Sequence, residues 1–270
     1  MSNRRVRLGL VLVAILGALA LLAPALAPYD PTKQIDLLGL RNAAPSLQHL
    51  LGTDLYSRDV LSRALYGARV SLLVALLSVL LSLSVGTAVG LAAGFTGGAV
   101  DGVLMRAVDA ALAIPRVFLL LVVMALWPGV GVLPLVLILG FTSWFGTSRL
   151  VRAEVLSVRS REYIAAGRAL GLSATRVALR HVLPNVAAPI LVTGTLSVGN
   201  MILVEAGLSY LGLGVPQPTP SLGSMISEGQ PLLAQAPWIA TVPGIAIVFT
   251  VLAFSVLSDG LREVLDRSGA

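Results

Sequence analysis

Between Arg149 and Asn185 the chain sets seven arginines (Arg149, Arg152, Arg159, Arg161, Arg168, Arg176, Arg180) against two glutamates, Glu154 and Glu162. Guanidinium groups at that density can pair with acidic groups on a partner. Other reactive side chains are scarce. There is no cysteine, which excludes disulfides, thiol catalysis and cysteine-ligated metals. Both histidines, His49 and His181, stand outside the apolar runs, so a histidine metal site or an intramembrane Ser–His protease has no partner residues. The only lysine, Lys33, has no glycine beside it, so the Gly-Lys-Ser/Thr triplet of a P-loop is missing and ATP is not bound by that route. No G-x-S-x-G elbow occurs. Ion-coupled transporters usually bury ionisable residues near the midplane, and the central parts of most apolar runs here hold none. Glu205, toward the outer end of its run, reads as a structural acid rather than a proton relay.

The elements that must position the arginine stretch are apolar. Of 270 residues 56% are hydrophobic and 12% charged, with mean hydropathy +0.91. A soluble domain carries about twice that charged fraction, so an all-α integral membrane protein with several spans is expected. The net charge of +6 does not point to nucleic acid: every basic residue but Lys33 is an arginine, scattered at segment ends, and no soluble basic domain is present.

Residues 1–7 hold Arg4, Arg5 and Arg7, and 8–27 is then apolar for about one bilayer core. Ala25-Leu26-Ala27-Pro28 mimics a signal cleavage site. The run is long for a signal and the proline would hinder cleavage, so it is expected to remain as a first span with a cytoplasmic N-terminus. Residues 29–69 form an outside segment, opened by Pro28 and Pro31. In it Leu55, Leu61 and Leu65 with Arg58 and Arg63 suggest a helix lying flat at the interface; an ordinary solvated loop fits the pattern equally. Its five basic residues, Lys33, Arg41, Arg58, Arg63 and Arg69, run against the positive-inside rule.

Residues 70–95 are uncharged and make a second span. Gly86, Gly90, Gly94 and Gly98 recur every four residues, on one helix face where another backbone can approach. Residues 117–148 also lack charge but are broken by Pro128-Gly129-Val130-Gly131. Two spans fit if the third begins near Gly102 or Leu104 and turns at Pro128, which puts Arg106, Asp109 and Arg116 in or near its cytoplasmic third. A single span would leave the arginine stretch outside the cell; two spans put most of the basic residues inside. A fifth span runs from Pro184–Pro189 to about Leu208, and a sixth from about Ile239 to Leu257. Between them lies a Pro- and Gly-rich outside loop without Lys or Arg. The expected organisation is a cytoplasmic tail and first span (1–28), the outside segment (29–69), and a five-span core (70–270) with a cytoplasmic loop at 150–185. Both termini lie inside.

That loop reads as two short helices broken at Gly171-Leu172-Ser173. Ala165, Ala166, Gly167, Ala169 and Gly171 are small and allow close docking into a groove of another protein. An interfacial helix held by anionic lipid headgroups is the equal alternative.

The same residues carry a resemblance. Tyr163-Ile-Ala-Ala-Gly-Arg-Ala-Leu170-Gly171-Leu172, then His181-Val-Leu-Pro184-Asn185, resembles the cytoplasmic coupling loop of ABC importer permeases. In that pattern Glu-Ala-Ala is followed by three residues, Gly, nine residues and Ile-x-Leu-Pro. Ala165 stands for the glutamate, Gly167 for the second alanine and His181 for the isoleucine; a His-x-x-Pro-Asn ending is common in the peptide/nickel branch. The segments 51–72, with Ser57 where Gly is usual, and 97–115, 203–225, 236–244 and 258–268 follow that branch in order. The chain is similar to its dipeptide/oligopeptide permease C type.

The resemblance implies a six-helix type I ABC importer permease that is not itself an enzyme and binds no cofactor. Its implied partners are a homologous B-type permease, two ATP-binding subunits (or one fused) that hold ATP and Mg, an extracytoplasmic substrate-binding protein, and membrane lipid. Tyr163 to Leu172 with Pro184 would be the element seated in an ATPase cleft, Glu162 substituting for the missing glutamate. Asp54, Arg58 and Asp59 would meet the binding protein. The implied cargo is a dipeptide or oligopeptide, with nickel, glutathione or another peptide-like solute as alternatives. A non-transporting scaffold and a secondary transporter fit less of the pattern.

Overall fold

A computed structural model describes residues 2–36, 38–127, 129 and 131–268. Pro128 and Val130, at the expected turn of the third span, lie outside the described residues. Regular structure among the described residues is helical apart from one isolated antiparallel bridge, Thr53 to Asp59.

The helices are α1 (Ser2–Leu21), the single turn α2 (Ala23–Leu26), α3 (Val60–Thr96), α4 (Gly98–Leu112), α5 (Arg116–Leu126), α6 (Val132–Phe141), α7 (Trp144–Arg159), α8 (Glu162–Ala169), the short α9 (Ala174–Val177), α10 (Leu183–Tyr210), α11 (Leu222–Gly229) and α12 (Trp238–Ser268). Three continuous helical stretches, 60–96, 174–210 and 238–265, are long and apolar enough to cross a membrane. Two bent pairs, α4 with α5 at 77° and α6 with α7 at 42°, bring the number to five. The apolar part of α1, behind its arginines, is compatible with a sixth.

The expected interfacial helix is not a separate element. Asp59 caps α3 by accepting from the Ser62 N–H at 2.8 Å, and no proline interrupts the chain before the uncharged run. Leu61, Arg63 and Leu65 therefore form the first turns of the long α3, while Leu55 and Arg58 belong to the non-helical segment before it. An N-cap that satisfies orphan amides decides where a helix starts, and apolar patterning does not reveal it.

α3 is the centre of the bundle, packed by α6, α7, α10 and α12. The main core joins Val74, Leu120, Leu135, Leu139, Ile202 and Phe254 from five helices. α1 lies along α12, and Arg5 Nη1 stands 3.8 Å from a Glu263 carboxylate oxygen, so the two ends of the chain share one face. Phe118, Leu126, Leu133 and Phe249 are exposed, as expected of surfaces that face lipid or another membrane chain.

Candidate functional site

The arginine stretch folds as a knob between α7 and α10. α8 lays Ile164, 1% exposed, into a cluster with Val155, Val158, Val177 and Val182. Leu172 packs at the edge of the same cluster. With that side anchored, the other faces away: Tyr163 is 43% and Leu170 83% exposed, and Ala165, Ala166, Ala169 and Gly171 are exposed beside them. Gly167 and Arg168 are described by their backbone alone. Gly171 ends the helix at φ +79°, with nothing within 4 Å of where a Cβ would stand. The position demands a left-handed backbone rather than room. Ser173 then accepts from the Arg176 N–H at 3.4 Å and opens α9.

Pro184 needs a local adjustment, because it lacks an N–H and its ring would press on a carbonyl one turn back. The chain widens into a π-turn at Ala178–Val182, where the Leu183 N–H donates five residues back to the Ala178 carbonyl. The Asn185 side chain donates to the His181 carbonyl at 2.6 Å. The Asn185 amide thus adds a bond to the carbonyl one turn before it, beside the turn that the proline disturbs. Pro184 itself is exposed at the root of α10.

The knob's other root is rigid. α7 lies on the glycine face of α3. A Cβ at Gly90 would stand 2.5 Å from the Ser148 carbonyl oxygen; at Gly86 it would stand 2.6 Å from Thr147 Cβ, and at Gly94 2.9 Å from Val155 Cγ1. Gly98, the next in the series, starts α4 and touches nothing there. Two arginines, Arg152 and Arg159, brace this packing, while Arg149 stays exposed. Arg152 donates to both oxygens of Asp101 at 2.5 and 2.6 Å. Arg149 Nη1 stands 3.7 Å from Asp109, and Arg159 donates to the Gly94 carbonyl at 3.2 Å.

At the opposite end, the residues expected to meet a binding protein lie inside. Asp54, Arg58 and Asp59 are 2%, 3% and 0% exposed, so in this structure they offer no surface to a partner. Asp54 accepts from the Tyr56 and Arg58 amides at 2.8 and 2.9 Å, from Arg58 Nε at 2.7 Å, and from Arg63. Arg58 and Arg63 reach on to Glu228 of α11 at 2.7 and 3.1 Å. Asp59, besides capping α3, faces His49 Nδ1 at 3.0 Å. Two of the arginines that run against the positive-inside rule if this segment is outside are thus neutralised by carboxylates. Ser57, at the usual glycine, sits at φ +59° and donates from its hydroxyl to the Asp36 carbonyl at 2.5 Å, a bond that offsets the strain of that backbone.

Two intramembrane charges complete the picture. Glu205 is fully buried, with the Ser209 hydroxyl donating to it at 2.7 Å, in keeping with a structural acid. Arg116 is the first residue of α5. It stands at the α4–α5 elbow with Nη2 3.6 Å from Met201 Sδ of α10. Beyond being a charge that opens an uncharged run, it carries no sequence signal of its depth.

Residues 86–268 match the family described as binding-protein-dependent transport system inner membrane component. Residues 1–45 match the N-terminal TM domain of oligopeptide transport permease C. The dipeptide transport system permease protein of Escherichia coli is 45% identical over 269 residues, 98% of this chain and 89% of that protein. The oligopeptide transport system permease protein of Bacillus subtilis is 37% identical over 267 residues, 98% of this chain and 86% of that one. A putative peptide permease protein of Brucella suis is 41% identical over 268 residues, 98% and 88% of the two chains.

Proposed function

This chain belongs to the binding-protein-dependent transport inner membrane components, and from that premise we propose that it is the C-type permease of an ATP-driven importer of dipeptides or oligopeptides. With a homologous B-type permease it forms the pathway, and an external binding protein delivers the cargo. Two ATP-binding subunits, or one fused, hold ATP and Mg and carry out hydrolysis, while this chain binds no cofactor. The knob end and both termini face the cytoplasm.

The observation that carries this proposal is the knob: Ile164 fixes it from within, while Tyr163, Ala165, Ala166, Ala169, Leu170 and Gly171 stay exposed between two helices. A surface of small residues on a braced support suits insertion into an ATPase cleft. Closure of the ATPases then moves α7 and α10 as a rigid body. Cargo follows from the relatives, whose names are those of peptide permeases. The test is uptake of labelled dialanine by cells lacking other peptide importers and supplied with the complete transporter. Uptake that requires this chain is expected; saturable Ni²⁺ uptake without dialanine uptake would reassign the cargo.

A further inference from the structure

A guanidinium inside a membrane bundle is costly unless paired, and it marks a functional site by default. Arg116 is such a group. It is half-buried, and among the described residues its Nε has no hydrogen-bond partner and its one polar contact is the weak one to Met201 Sδ. The ion pairs among the described residues include none to Arg116.

Its depth is set by its neighbours. Ser78 of α3 donates to the Val136 carbonyl of α6 at 3.1 Å. Leu81 and Leu83 pack on Gly140 and Gly194. Thr142 and Ser143, which follow α6, are therefore level with the middle of α3. They line a cavity of about 220 Å³ together with Arg116, Leu112, Leu119 and Phe145. The hydroxyls of Thr142 and Ser143 already donate to the Ile138 and Leu139 carbonyls, so toward the cavity they offer lone pairs only. The cavity lies at the 77° break between α4 and α5, beside the exposed Ile114, Val117 and Phe118. In secondary transporters, broken helices at midplane form the substrate site, and the same geometry is present here.

We infer that Arg116 is the carboxylate-binding subsite of the translocation pathway, holding the C-terminal carboxylate of the passing peptide while Thr142 and Ser143 accept its N–H groups. This rests on the proposed peptide cargo. A guanidinium with free donors complements a carboxylate. The unpaired state is itself useful, since a resident counter-ion would block the cargo.

The test uses the full transporter in vesicles, comparing dialanine with its C-terminal amide. Arg116→Gln is expected to slow dialanine uptake about ten-fold, the scale of one lost charged hydrogen bond, and to leave slow amide uptake unchanged. Arg116→Lys, which keeps the charge, is expected to retain most dialanine uptake. ATP hydrolysis stimulated by the loaded binding protein reports that both variants assemble. Unchanged dialanine uptake in Arg116→Gln would overturn the subsite alone. Equal losses for acid and amide in both variants would also overturn it, making Arg116 structural. Absence of dialanine uptake by the unaltered transporter would overturn the cargo and the subsite together. Phosphatidylglycerol is included in one set of vesicles and omitted from another. An Arg116 effect that follows that lipid rather than the cargo carboxylate would assign the cation to a headgroup and overturn the proposal.

Discussion

Arg58 Nη2 donates to Glu228 Oε2 at 2.7 Å, joining the outer segment to α11 across 170 positions of sequence. Arg63 reaches the same carboxylate, with Nη1 3.0 Å from Oε2, and Asp54 balances the two cations from the other side. The network ties the segment before α3 and the first turns of α3 to a short helix just before the last.

Glu228→Gln should therefore destabilise the packing of α11 against the start of α3 by about 3 kcal/mol, since removal of one partner leaves a buried charge uncompensated. A fall in the melting temperature of the purified complex checks this. An unchanged melting temperature would mean that solvent reaches the network.

Gly90→Ala should cost about 1–3 kcal/mol, because its methyl group would meet the Ser148 carbonyl and push α7 off α3. Gly207→Ala on α10, where nothing stands within 4 Å, is the control and should be neutral or slightly stabilising. Equal effects in thermal unfolding would refute close packing at the glycine face.

At Gly171 the demand is conformational. Gly171→Ala should cost about 1–2 kcal/mol of local stability through its left-handed backbone, lowering dialanine taken up per ATP hydrolysed. Ile164→Ala should do so more severely, by opening a cavity under the knob at about 2–5 kcal/mol. Tight coupling in both variants would argue that the knob does not transmit the motion.

The chain has no cysteine, so single introduced ones report sidedness cleanly. A cysteine at Leu170, 83% exposed, should react with an impermeant maleimide only from the cytoplasm; one at Leu47, 98% exposed, should react only from outside. The reverse pattern would invert the topology.

Much of this was legible without coordinates. Hydropathy and charge marked the spans, because partition between lipid and water acts on each segment by itself. The four-residue glycine period marked a packing face, because helix geometry is local, although the period does not say that α7 is what it packs against. The small residues and turn signals around Gly171 outlined the knob. Its anchor, Ile164, looked like any other apolar residue. The segment before α3 fits an interfacial helix and a solvated loop equally by pattern, because Arg58 and Arg63 have the same sequence appearance whether solvated or neutralised by a carboxylate far along the chain.

The sequence by itself determined an all-helical membrane chain, the place of its polar loop and its family. Those properties follow from composition, local period and motif spacing. Only the tertiary structure decided that Asp54, Arg58 and Asp59 are interior, that Arg152 and Arg159 brace α7, and that Arg116 stands near mid-depth without an ion pair among the described residues. A charge's burial and partner depend on which distant segments fold against it, and that information lies in the contacts rather than in any stretch of the chain.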